Sequence, residues 1–255
     1  MTSHAPRAPV AVALDAPDLP TLMRWSGAVA PHVTTLKVGL ETYLRDGDRA
    51  VQGAREAAEA AGSPCALFLD LKLHDIPATV AGAARSVGRL EPDLLTVHAA
   101  GGPAMIRAAA EELPDTRIVA VTVLTSLSAA DLSRMGLLPE GASAADVRSL
   151  AESLAVEAVE AGARAIVCSP EEVAGIRAAV GPQPWLITPG VRPAGADAGD
   201  QKRIATPQEA LARGADLLVV GRPITAAEDP RAAAADLARE VADSATSGEP
   251  GRRPS

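Results

Sequence analysis

Short, unbroken apolar runs recur along the chain, at residues 10–14, 34–38, 65–71, 94–98, 117–122, 165–168, 185–188 and 216–220. They do not alternate apolar with polar positions, as a strand with one wet face would. Continuous runs of this length predict strands covered on both faces, the pattern of a parallel sheet. The segments between them carry helical spacing. It is clearest over 143–161, where Val147, Leu150, Leu154 and Ala158 fall three or four apart. Ser143 is placed to cap that helix at its start and Gly162 at its end. Further helices are predicted over 19–30, 41–61, 78–90, 103–112, 170–180, 207–213 and 229–242. Eight strands alternating with eight helices predict an α/β fold, a (β/α)8 TIM barrel in a single domain. A doubly wound open sheet competes, but no Gly-x-Gly-x-x-Gly follows the first strand.

No linker divides the chain. Residues 1–243 are expected to form the barrel, and 244–255, rich in Ser, Gly, Pro and Arg, a disordered tail. Residues 193–202, rich in Gly, Ala and Asp, follow the seventh strand, on the face where barrel sites form, and suit a lid.

Composition narrows the picture. Apolar residues make up 47% of the 255 but aromatics only 2%, so the core must be built from Ala, Val, Leu and Ile. A net charge of −8 speaks against a nucleic-acid surface. No run reaches the ~18 apolar residues of a membrane span, and the start carries no secretory pattern. Cys65 and Cys168 fall in apolar runs and read as inert buried thiols in a reducing cytoplasm.

The candidate chemistry begins with lysine, of which there are three against twenty-one arginines. Two sit in strand-like apolar stretches: Lys37 in Thr34-Thr35-Leu36-Lys37-Val38-Gly39, and Lys72 two residues after Asp70. Lysine is a compact charge that can release its proton, which arginine cannot. On a strand, Asp70 and Lys72 would point to one side. Lys37 would come from the neighbouring strand and Asp75 from the following loop. The expected result is an alternating row of Lys37, Asp70, Lys72 and Asp75, ionised and near-neutral overall. A purely structural ion network is the competing reading.

Other polar residues also cluster at strand ends: Asp15, His98, Thr125 with Ser126, Ser169, Thr188 and Arg222. In a barrel all these ends converge. Gly221-Arg222-Pro223 after the eighth strand suits a phosphate group, with Gln201 able to close over it. His98 is expected in a hydrogen-bonded supporting role and His74 in a structural one. No acid or histidine pair has metal-ligand spacing, so no metal is expected.

Asp70-Leu71-Lys72-Leu73-His74-Asp75-Ile76-Pro77 resembles the signature of the orotidine 5′-phosphate decarboxylase family. Also similar, and in the same order, are Val12-Ala13-Leu14-Asp15, Leu36-Lys37-Val38-Gly39, Val121-Thr122-Val123-Leu124-Thr125-Ser126, Thr188-Pro189-Gly190-Val191-Arg192-Pro193, Gly199-Asp200-Gln201-Lys202-Arg203 and Val220-Gly221-Arg222-Pro223-Ile224-Thr225. The resemblance spans about residues 9 to 240. Leu73 departs from it, since relatives often carry Phe there.

The resemblance implies a cofactor-free homodimer with sites shared between subunits, acting on orotidine 5′-phosphate. Lys37, Asp70 and Lys72 would act in their own site, while Asp75 and Thr79 reach the partner's. Asp15 and Lys37 would hold the ribose hydroxyls, and Ser126 and Pro189 would meet the base. Gln201, Gly221 and Arg222 would hold the phosphate, and Arg192 is carried as a further substrate-binding candidate. Lys72 would stabilise and protonate a ring carbanion. Two alternatives are a magnesium-dependent sugar-phosphate lyase of the wider superfamily, which carries an acid where Lys37 stands, and a silent phosphate-binding barrel.

Overall fold

The structure, a computed structural model, describes residues 7–192 and 205–247. Its strands are β1 (Ala8–Ala13), β2 (Val33–Gly39), β3 (Ala66–Leu73), β4 (Leu94–His98), β5 (Arg117–Val121), β6 (Ala165–Val167), β7 (Trp185–Thr188) and β8 (Leu217–Val220). Each pairs in parallel with its sequence neighbour, and β8 closes onto β1, making the expected (β/α)8 barrel. The helices that wrap it are α1 (Leu19–Val29), α2 (Leu40–Asp46), α3 (Asp48–Ala60), α4 (Pro77–Gly88), α5 (Pro103–Glu112), α6 (Ala129–Arg134), α7 (Ala144–Glu160), α8 (Val173–Val180), α9 (Pro207–Ala212), α10 (Arg222–Thr225) and α11 (Pro230–Ser247).

The unbroken apolar runs follow from this closure. One face of seven of the strands fills the barrel interior, where Ala11, Phe68, Leu94, Val119, Ala165, Ile187 and Leu217 pack together. The other face meets the helices in a larger layer built mainly of Ala, Val and Leu. Small side chains let the helices sit close, so a chain nearly without aromatics can still fill its core at protein density. Local signals agree at the helix starts: Asp146 accepts from both the Ser143 N–H and its hydroxyl, at 2.7 Å each, ahead of α7.

Three differences from the sequence reading concern elements. The helix expected over 41–61 is two helices, α2 and α3, parted at Gly47 with φ 58° and ψ −135°. Apolar spacing runs through the break, so periodicity could not reveal it. Helices α6 and α10 are too short to show a helical period. Helix α11 extends past 243 to Ser247; residues 248–255 of the expected tail lie outside the described residues. Among the described residues no helix is long and apolar enough to cross a membrane.

Candidate active site

At the C-terminal ends of the strands the barrel opens into a cavity of about 190 Å³. Lys37 from β2 and Asp70 and Lys72 from β3 line it together with Val121, Val123, Val167 and Val219. Phe68 closes it from within the barrel, and Pro189 and Thr125 complete its lining with Leu124. It therefore pairs a charged wall with an apolar one, the usual composition of a small-molecule site.

The charged wall centres on Asp70. One carboxylate oxygen lies 3.0 Å from Lys37 Nζ and the other accepts from Lys72 Nζ at 2.8 Å. Burial works against the Asp70 charge, but Lys37 and then Lys72 outweigh it and hold the carboxyl at about 2. Lys37 is sealed in, its side chain 8% exposed, whereas that of Lys72 is 30% exposed and reaches the cavity. Two ammonium groups thus flank one buried carboxylate, and only that of Lys72 stands at the opening. Asp15, itself exposed, joins through Lys37 at 4.0 Å.

Lys72 reaches its place by a route that strand parity does not describe. Its φ is +50°, in the left-handed region, which costs a non-glycine residue about 1–3 kcal/mol. The pairing of β3 with β4 shifts here: Leu69 faces Leu95 and Leu73 faces Val97, so β3 carries extra residues between. The Lys72 N–H donates to Thr96 Oγ1 at 2.8 Å, and that hydroxyl donates to Asp70 at 3.0 Å. Asp70 and Lys72 do meet, but through a bulge rather than a regular alternation.

The expected four-charge row needs correcting within one chain. Asp75 is not part of it: its carboxylate accepts from the neighbouring Ile76 N–H at 2.6 Å, and residues 74–79, Thr79 included, are exposed. The chain leaves the strand at Leu73 and turns into α4 at Pro77, carrying Asp75 outward. Ile76 beside it is 66% exposed, a large apolar side chain facing solvent.

The remaining candidates divide. Pro189 lines the cavity, while Ser126 is exposed beside the lining residue Thr125. Gly221 follows β8, where an added Cβ would meet Ala13 at an ordinary 3.5 Å, and the exposed Arg222 opens α10. Neither lines the cavity. Arg192 is buried, its guanidinium donating to the Val191 carbonyl at 3.3 Å. Its N–H donates to Ala205 O at 3.0 Å, joining the two ends of the 193–204 segment. That segment, with Gln201 and the expected lid, lies outside the described residues.

Ser169 and Thr188 are fully buried and do not line the cavity. His98 packs against His74 with ring centroids 5.3 Å apart, rather than hydrogen-bonding to protein among the described residues. Burial, then His74 and Lys72, lower the His98 pKa against the pull of Asp70. Cys168 is buried, but Cys65 is only half-buried and lies 3.5 Å from an Arg7 nitrogen; burial still raises its pKa.

Two contributors had no role in the sequence reading. Gly39 belongs to a quoted motif, and a Cβ there would sit 2.8 Å from Asp15 Oδ1 and 3.1 Å from Lys37 Nζ. Thr96, polar in an otherwise apolar run, was visible as an oddity but its contacts were not. Among the described residues no group of three or more His, Cys, Asp or Glu converges to hold a metal ion.

A family model described as Orotidine 5′-phosphate decarboxylase / HUMPS family matches residues 8–237. The chain is 64% identical over 234 residues to an orotidine 5′-phosphate decarboxylase of Thermobifida fusca, covering 92% of this chain and 96% of that protein. It is 55% identical over 244 residues to the one of Frankia casuarinae, covering 91% and 87%. The crystal structure of orotidine 5′-phosphate decarboxylase from Lactobacillus acidophilus superposes with a TM-score of 0.74 at 32% identity, over 91% of this chain and 98% of that one.

Proposed function

The chain belongs to the orotidine 5′-phosphate decarboxylase / HUMPS family, and on that footing we propose that its barrel mouth converts orotidine 5′-phosphate to UMP and carbon dioxide through the Lys37–Asp70–Lys72 group. The enzyme is a carboxy-lyase of pyrimidine biosynthesis. The single observation that carries the mechanism is the ammonium of Lys72, tethered by Asp70 at 2.8 Å in a cavity whose other wall is apolar.

Breaking the bond between ring and carboxylate leaves an electron pair on the ring carbon, with no adjacent carbonyl to spread it. Lys72 faces that carbon, stabilises the charge as it grows, then donates its proton. The carbon becomes C–H, and the neutral amine regains a proton from solvent. A charge pairing at ~4 Å and an effective dielectric near 20 contributes about 4 kcal/mol. Enzymes lower barriers by about 8–23 kcal/mol, so the remainder must come from binding the rest of the substrate and excluding water. Asp70 adds to it, since its charge repels the substrate carboxylate until carbon dioxide departs.

The other roles follow the family resemblance. Asp15 and Lys37 hold the ribose, Ser126 and Pro189 the base, and Gln201, Gly221 and Arg222 the phosphate, with Arg192 kept as a further substrate-binding candidate. A second copy supplies Asp75 and Thr79, so the working unit is a cofactor-free homodimer in the cytoplasm. Support comes from the exposed stretch of Asp75, Ile76 and Thr79, which leads directly out of β3 beside the site. Lys37 at the end of β2 repels a divalent cation, which disfavours the magnesium-dependent lyase.

The test is the absorbance change of orotidine 5′-phosphate with purified protein in EDTA. Turnover should persist in the chelator, and Lys72→Ala should lower kcat by at least about 10³-fold. Near-normal turnover by that variant would overturn the assignment.

A further inference from the structure

We propose that Thr96 is a positioning residue for this reaction, its hydroxyl holding the backbone turn that aims the Lys72 ammonium. The inference rests on the decarboxylase reading above. Lys72 and Glu91 are the two non-glycine residues with positive φ among those described, and Glu91 lies in a loop between α4 and β4. A left-handed residue inside a strand persists only where its surroundings hold it there. Between the facing pairs Leu69–Leu95 and Leu73–Val97, β3 has three residues and β4 has one. That one is Thr96.

Its side chain is fully buried and uses both of its hydrogen-bonding capacities on this turn. Oγ1 accepts from the Lys72 N–H at 2.8 Å and donates to Asp70 Oδ1 at 3.0 Å. The same Asp70 oxygen accepts from Lys72 Nζ at 2.8 Å. Backbone, hydroxyl, carboxylate and ammonium therefore form one closed ring. Serine could make both bonds and valine neither, although valine matches threonine in shape. Without the hydroxyl, the part-buried Lys72 N–H loses its partner, a cost that relaxing the bulge relieves. The ammonium then moves off the reacting carbon, while the parts of the site that hold ribose and phosphate keep their places.

The experiment compares Thr96→Val and Thr96→Ser with the wild type, measuring kcat for orotidine 5′-phosphate and the Kd of UMP, which lacks the departing carboxylate. The valine variant should lose about 100-fold in kcat, the scale of a 1 Å misplacement, with UMP binding unchanged. The serine variant should recover most of that loss. Wild-type kcat in Thr96→Val, or kcat and UMP affinity falling in parallel, would overturn the proposal. Should the valine variant not fold, Thr96→Cys replaces it, its thiol being a weak donor and acceptor. The same split, kcat down with UMP binding kept, is expected of it, and its absence counts against the proposal. Wild-type protein without turnover would instead sink the decarboxylase reading and this inference with it.

Discussion

Asp70 faces two lysines at hydrogen-bonding distance, and the three charges are worth more together than singly. With its pKa depressed to about 2 from an ordinary 3.8, the folded protein holds the carboxylate in a range where the unfolded chain protonates. This group's stabilisation is therefore fully present above pH 4 and lost as pH falls towards 2. It amounts to about 2 kcal/mol. Urea unfolding of the wild type followed from pH 5 to 2 should show this slope, and Asp70→Asn should lack it; an identical acid slope in both would refute the coupling. What was legible at this scale was residue type. A chain that spends arginine nearly everywhere and keeps lysine inside apolar strands announces chemistry. Asp70 as the partner of Lys37 and Lys72 was also readable, but the outward turn of Asp75 and the left-handed Lys72 were not, because no local preference encodes them.

Elements show a similar division. The apolar runs marked all eight strands, since burial on both faces leaves a signature no loop imitates. The break between α2 and α3 went unseen. Gly47 adopts φ 58° and ψ −135°, a conformation nearly closed to other residues, with nothing within 4 Å of a would-be Cβ. The constraint there is conformational, not steric crowding. Gly47→Ala should therefore lower unfolding free energy by about 1–3 kcal/mol while leaving kcat unchanged. Denaturant unfolding alongside the activity assay checks both halves, and a variant as stable as wild type would show that the turn tolerates a side chain. The bulge in β3 belongs at this scale too, since it turns a regular strand into a platform for Lys72.

For the whole molecule, the exposure of Asp75, Ile76 and Thr79 beside the cavity bears on assembly. If a second copy completes each site, two inactive variants should repair one another. Lys72→Ala and Asp75→Asn, each inactive alone, would on subunit exchange form mixed dimers carrying one intact site in two. Equal mixtures should then recover about a quarter of wild-type activity, as expected for an isologous two-fold pair. Mixtures that stay inactive after demonstrated exchange would mean each chain works with its own Asp75.

The sequence by itself determined the barrel, the lysines and acids that carry charge, and the end of the strands where they gather. These are properties of short windows: which residues are apolar, how often, and which side chain stands at a run's end. Only the tertiary structure decided which of them share the cavity, that Asp75 turns away within its own chain, and that Thr96 and Gly39 shape the charged wall. Those outcomes depend on register between strands some two dozen residues apart. Hydrophobic pattern says which face is buried but not how far one strand slides along its neighbour before the barrel closes.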